Sequence, residues 1–182
     1  MTRPFPLRDG PVTVDRWTAE RVDRIRPWLR PDAEWKEWDA PYLPGPSEPD
    51  GKLFADGLLA NPWQPDPFTG EPQRLCIAAD DVAVGLVSWH WMDETSGWRR
   101  IGIVLYDPSV WDGGIGTRAL RLWSDWLAAL PDSHRLDLAT WSGNARMLRV
   151  ANRCGFTDEA RLRGARIVRG ERYDAVVLAR LT

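Results

Sequence analysis

The sequence predicts an α/β domain, more closely α+β, built on a mixed, largely antiparallel central sheet flanked by helices. Three observations predict it. Residues 75–79, 83–92 and 100–106 are apolar, β-branched and tryptophan-containing runs separated by short polar turns, the pattern of an antiparallel meander. Ile115, Ala119, Leu122, Trp123, Trp126, Leu127 and Leu130 then recur at helical spacing. A further strand, a short helix and a hairpin close the chain.

In chain order, residues 12–17 read as a first strand and Thr18 as the N-cap of a helix running to about Ile25, with Glu20 and Asp23 in its early turns. Pro27 and Pro31 stop it. Thirteen of the 15 prolines lie in residues 1–72, and eight of them with four glycines fall between Pro41 and Pro72. That stretch reads as a long functional loop holding at most a short helix over 52–59. Asp80-Asp81 makes the first tight turn of the meander, and 93–97 the second. The helix from Ile115 ends at Pro131, 135–141 is a strand, 144–153 a short helix with Gly155 as its C-terminal cap, and 161–168 pairs with 173–181 around Arg169-Gly170. The 182 residues thus suit one domain, 1-182, with a loop-rich part at 1-73 and a regular core at 74-182.

Composition narrows the function. With 43% hydrophobic and 27% charged residues the chain is an ordinary globule. No apolar run reaches the roughly 18 residues needed to span a bilayer, and two prolines with several charges break the N-terminus, so a secretory signal and a membrane partner are not expected and the cytoplasm is. Cys76 and Cys154 stand outside any metal-ligand spacing, so neither a disulfide framework nor a bound metal is expected. The net charge of -2 conceals a division: residues 1–30 carry +3, residues 31–96 carry -10, and residues 97–182 carry +5. A chain this poor in clustered basic charge is not expected to bind nucleic acid directly.

The informative segment is 104–117, Val-Leu-Tyr-Asp-Pro-Ser-Val-Trp-Asp-Gly-Gly-Ile-Gly-Thr: a strand, a turn, then glycines opening a helix. Such a junction aims backbone N–H groups and the positive end of a helix dipole at one spot, as a pyrophosphate requires. Gly114, Gly116 and Ala119 also satisfy the dinucleotide spacing G-x-G-x-x-A, with Asp137 some 21 residues beyond Gly116. Against that reading, Pro108 ends the strand six residues before Gly114, Asp137 falls inside a strand, and too little chain remains for a doubly wound sheet.

The segment instead resembles the GNAT superfamily of acetyl-CoA-dependent N-acyltransferases. Its pattern of alternating apolar residues and a proline, followed by Q/R-x-x-G-x-G/A, is met by Val104, Tyr106 and Pro108, then Trp111, Gly114 and Gly116, with Trp111 replacing the usual Gln or Arg. A second motif, Asn, a short helix and Gly-Phe, is met by Asn144, Gly155 and Phe156. The resemblance covers residues 74–181 well and the first third loosely. It is nearest to the ribosomal-protein alanine N-acetyltransferase (Rim-type) branch, through Trp111 before Gly-x-Gly and Tyr173-Asp174 near the C-terminus.

The resemblance implies a strand splayed at the acetyl-CoA site, with Val104, Leu105 and Tyr106 pairing with the pantetheine amides. The N–H groups of Trp111, Asp112, Gly113, Gly114, Ile115, Gly116 and Thr117 would hold the pyrophosphate, and Asn144 would hydrogen-bond the pantetheine. Arg118, Arg121, Arg149 and Arg153 are candidates for the nucleotide phosphate. Family acid/base positions are vacated: the tyrosine expected seven residues after the motif asparagine is Ala151, and the serine and glutamate of the Rim branch are Met147 and Arg166. Tyr106, Asn144 and His90 remain as catalytic candidates, although a satisfied, partly buried histidine is the plainer reading of His90. Trp38, Asp39 and Tyr42, in the acidic stretch, are the candidate acceptor pocket.

The expected function is transfer of an acetyl group from acetyl-CoA to a primary amine, either a protein N-terminal α-amine or a small molecule such as a polyamine or antibiotic. The rival classes are a CoA-binding module without chemistry and a structural protein using its 12 tryptophans for contacts. Either a monomer or a homodimer fits.

Overall fold

The computed structural model describes residues 5–45 and 47–182, which form a single eight-stranded sheet. A hairpin of β1 (Leu7–Asp9) and β2 (Val12–Asp15) leads across to β3 (Arg74–Ala79), β4 (Val82–Asp93) and β5 (Trp98–Leu105), all antiparallel. β5 pairs in parallel with β6 (Arg135–Trp141). β6 pairs antiparallel with β8 (Glu171–Leu181), and β7 (Thr157–Val168) lies beyond β8 at the edge. Four α-helices flank the sheet: α1 (Ala19–Ile25), α2 (Glu48–Ala60), α3 (Ile115–Ala128) and α4 (Ala145–Arg153).

Local chemistry accounts for these boundaries. Asp80 and Asp81 both take positive φ, 47° and 63°, and Arg169 and Gly170 do the same, giving the two-residue turns whose twist matches an antiparallel hairpin. Thr18 caps α1 by accepting from the Arg21 N–H at 3.3 Å. The second helix is longer than its expected 52–59. Ser47 and Asp50 form a reciprocal capping box and Pro49 sits in the first turn, where its missing N–H costs nothing, so the helix begins at Glu48. The sequence also hides β1: Leu7 enters the sheet because it buries against the α3 side of the core, not through any local signal. The closing hairpin likewise starts four residues early, at Thr157, along an edge strand that is exposed over most of its length.

Alternation along the strands separates two cores. Leu75, Ile77, Val87 and Trp89 face α3 and α4, against Leu120, Trp123 and Phe156. Cys76, Ala83 and Leu86 face the other way, against Trp17, Val22 and Ile25 from α1 and its approach. Buried indoles use their N–H groups to fasten loops: Trp89 donates to the Pro72 carbonyl at 2.8 Å and Trp123 to Ser88 at 3.1 Å. Arg99, fully buried, lies 3.8 Å from the Trp91 ring centroid and pairs with Asp132 at 2.6 Å.

One departure from regular pairing matters most. β5 and β6 meet only at Trp98, Arg99 and Arg100 opposite Arg135, Leu136 and Asp137. Beyond that rung β5 stays with β4 as far as Leu105, and β6 stays with β8 as far as Trp141, so the sheet opens as a wedge. The last rung is pinned by an ion pair in which Arg100 Nε and Nη2 donate to the two Asp137 carboxylate oxygens at 2.7 and 2.8 Å. Asp137 is wholly buried while Arg100 is 26% exposed.

Removing one partner of a buried ion pair leaves an uncompensated charge. Asp137→Ala should cost about 3 kcal/mol, the low end for such a pair because Arg100 keeps some water, and should lower the melting temperature by roughly 6–12 °C. Calorimetric unfolding checks this; an unchanged melting point would show that the fork does not depend on the pair.

Candidate active site

The wedge between β5 and β6 holds a cavity of about 390 Å³. Residues 101–105 of β5 form one wall and Leu138 and Ala139 of β6 the other. Since β5 has no strand on its β6 side there, the backbone groups on that edge have no ladder partner and are free to bond an extended ligand. One is already used: the Trp111 indole N–H donates to the Leu105 carbonyl at 3.1 Å.

At one end of the cavity the chain turns into α3. Asp107 starts this turn by accepting from the Ser109 N–H at 2.9 Å and its hydroxyl at 2.6 Å. Gly114 then takes φ +80° as the helix N-cap, a left-handed conformation that favours glycine, and no side chain caps the helix. The N–H groups of the first turn therefore stay available for an anion. Gly116 lies on the cavity wall. A Cβ there would meet only Leu105 at an ordinary 3.5 Å, so its smallness serves the cavity and not the packing. Arg149 and Arg153 of α4 reach the same cavity.

The other end is closed by the segment after α1. Trp35 donates to the Trp28 carbonyl at 2.6 Å and packs edge-on against Tyr106, with ring centroids 5.1 Å apart. The Trp38 carbonyl accepts two bonds, from the Trp141 indole at 2.9 Å and the Asn144 amide at 3.1 Å. The Asn144 carbonyl oxygen also caps α4 through the Met147 N–H at 3.0 Å, so its amide is engaged at both ends. Arg146 lies between two indoles, 4.6 Å from the Trp38 centroid and 4.9 Å from Trp111, with Asp112 3.6 Å from its Nε. This stack joins the glycine loop, α4 and the acceptor-side segment. Asp39 faces the cavity beside Lys36 at 3.8 Å; burial pushes its carboxyl above the ordinary value, and the Lys36 ammonium offsets part of that.

Of the residues singled out in the sequence, Val104, Leu105, Trp111, Asp112, Gly114, Gly116, Thr117, Asn144, Arg149 and Arg153 line the cavity, joined by Trp38 and Asp39. Gly113 lies in the same loop and Ile115 opens α3, both off the wall. Tyr106 is 2% exposed in the opposite core, where burial pushes its hydroxyl pKa strongly up, so it is not poised to give or take a proton. His90 corrects the expectation of partial burial: it alternates away from Trp89 and is exposed on β4, off the cavity wall. Tyr42 is also off the wall, beneath the Arg166 guanidinium at 4.4 Å. Arg118 and Arg121 do not line the cavity either, because Arg118 pairs with Asp9 at 2.7 Å and Arg121 donates to the Arg153 carbonyl at 3.0 Å. Trp35, in the acidic stretch with Trp38 and Asp39, also lines the cavity, and Arg146 and Met147 are lining residues that the sequence does not single out as binding groups. The spacing of Arg146, Arg149 and Arg153, three and then four residues apart on one helix, was the available signal for Arg146.

Residues 3–157 match the family described as the acetyltransferase (GNAT) domain. No curated protein matches the chain. Among solved structures, an acetyltransferase of the GNAT family from Bacillus anthracis is 13% identical, with 97% of this chain and 98% of that one covered and a TM-score of 0.74. RimL, a ribosomal alpha-N-protein acetyltransferase in complex with coenzyme A, is 18% identical, with 97% and 96% covered and a TM-score of 0.72. A spermidine N-acetyltransferase from Vibrio cholerae in complex with CoA and spermine is 14% identical, with 95% and 96% covered and a TM-score of 0.73. These likenesses show a shared fold. The family match spans most of the chain, and with the wedge in the sheet and the glycine loop beside it, this protein belongs to the GNAT family of acetyl-CoA-dependent N-acetyltransferases.

Proposed function

We propose that this acetyltransferase modifies an α-amine, such as a protein N-terminus, and works in the cytoplasm. The observation that carries the proposal is the continuous path along the open edge of β5, from the glycine loop at one end to Trp38 and Asp39 at the other. The pantetheine amides would pair with that edge, the pyrophosphate would rest on the N–H groups of residues 111–117, and Arg149 and Arg153 would meet the phosphates. The thioester then lies near Asp39, its carbonyl polarised by backbone N–H groups of β5. Asn144 serves by fixing α4 and the Trp38 carbonyl. The two cysteines are free and buried, which agrees with a reducing compartment.

Amine chemistry supports the α-amine. A lysine side chain near pKa 10.4 is the free nucleophile only about once in 2,500 at pH 7, whereas an α-amine near 7.7–8.0 is roughly a tenth to a sixth free. The gap is worth about 3.3–3.7 kcal/mol. Acid/base positions found in many relatives hold Ala151, Met147 and Arg166 here, so none of those groups is present to close that gap.

Two measurements test the proposal. Gly116→Val should abolish acetyl-CoA binding in titration calorimetry while leaving the melting temperature within a few degrees, because the added side chain projects into the cavity; wild-type affinity would move the cofactor elsewhere. Peptides with a free N-terminus and an internal lysine, incubated with acetyl-CoA, should gain the acetyl group on the α-amine by mass spectrometry. Modification chiefly on lysine, or turnover of polyamines alone, would overturn the α-amine reading.

A further inference from the structure

The vacated acid/base positions leave open what takes the proton from the incoming amine, and the structure offers one group. We propose that Asp39 is the general base of this enzyme, an inference that rests on the reading of the cavity as the acetyl-transfer site.

Geometry singles it out. Two carboxylates line the cavity, Asp39 and Asp112. Asp112 belongs to the glycine loop and lies 3.6 Å from Arg146, at the end assigned to the pyrophosphate. Asp39 lines the cavity from the segment of Trp35 and Trp38, on the side of the sheet where Trp35 packs on Tyr106, and the thioester and amine would meet beside that segment. About half of its side-chain surface remains open, so an amine can reach it. Its segment is also held still: the adjoining Trp38 carbonyl is gripped by Trp141 and Asn144, from β6 and the N-cap of α4. A base must keep its position through the reaction, and this one adjoins a carbonyl held by two hydrogen bonds.

The charged and titratable groups around it suit the role. Lys36, on the same turn, is the nearest cation at 3.8 Å. Tyr106, at the end of β5, feels the Asp39 charge but stays neutral in its buried site. Arg146 of α4 is engaged with the Trp38 and Trp111 rings, and Glu37 is paired with Arg169 of the β7–β8 turn. Although half of its side chain meets water, the protein packed around the Asp39 carboxyl holds it above its ordinary value, which brings it nearer an α-ammonium than a free carboxylate would be. A lysine ammonium, with a pKa about 2.4–2.7 higher, is correspondingly harder for it to deprotonate.

The step balances without another reactant. Asp39 takes one proton from the substrate ammonium, and the neutral nitrogen adds to the thioester carbonyl carbon. As the adduct collapses, the C–S bond breaks, a second nitrogen proton passes to the CoA sulfur, and Asp39 releases its own proton to water. The products are the amide and free CoA thiol.

Asp39→Asn is tested against two nucleophiles with the full chain: the amine the wild type acetylates fastest, and an alkoxyamine, which is unprotonated at neutral pH. The acidic limb of the wild-type kcat/KM profile should rise with pH through the Asp39 pKa, since the base works only when ionised. The variant should lose that limb and lose about 10²- to 10⁴-fold in kcat for the protonated amine, with KM and the acetyl-CoA Kd little changed, and should lose far less for the alkoxyamine. An equal loss for both nucleophiles, a rise in KM with kcat intact, or an unaltered pH profile would overturn the assignment. Absence of turnover on α-amine peptides in the wild type would count against the α-amine reading alone, because the comparison then runs on whichever amine is accepted.

Discussion

The paired guanidinium and carboxylate of Arg100 and Asp137 set the point at which the sheet divides. Below that rung β5 and β6 share a parallel ladder; above it each keeps only its outer neighbour. A bidentate bond between a buried carboxylate and a partly exposed guanidinium fixes both the spacing and the register of the two strands at the fork. The cavity follows from that geometry, since strands that diverge from a fixed rung leave an unpaired edge on β5 with no neighbouring strand to satisfy it. An unpaired backbone edge is a liability in most sheets. Here it is enclosed by α3, α4 and the segment of Trp35 to Asp39, and so becomes a binding surface.

Enclosure depends on aromatic side chains that carry one polar atom each. Trp35, Trp111 and Trp141 all spend an indole N–H on a backbone carbonyl around the cavity, while their rings pack on neighbours. Arg146 completes the arrangement by lying between Trp38 and Trp111. The acceptor side and the nucleotide side are thus joined across the wedge by Arg146.

Much of this was legible in the sequence, and the gaps have physical causes. The meander, α3 and the glycine loop announce themselves because their periodicity and turn residues are local: Asp80-Asp81, the apolar face from Ile115, and Gly114 with Gly116. The segment of Trp35 and Trp38 gives no such sign, as its conformation is imposed by Trp141 and Asn144, more than a hundred residues away. Charge counting placed the basic excess correctly in the C-terminal part but did not separate Arg153, on the cavity, from Arg118, which neutralises Asp9. His90 shows the same limit, because alternation tells which residues share a face but not which face a helix covers. Proline density concealed α2, whose start is written in a capping box that only the pairing of Ser47 with Asp50 makes visible.

The wedge should be the seat of acetyl-CoA, and a crystal structure of the protein soaked with CoA examines this directly. The pantetheine should lie between β5 and β6 with its amides bonded to the free edge at residues 101–105, the pyrophosphate on the N–H groups ahead of α3, and the thiol directed toward Asp39. CoA bound on another face, or strands zipped together beyond Arg100 and Asp137 with no room for it, would contradict the account.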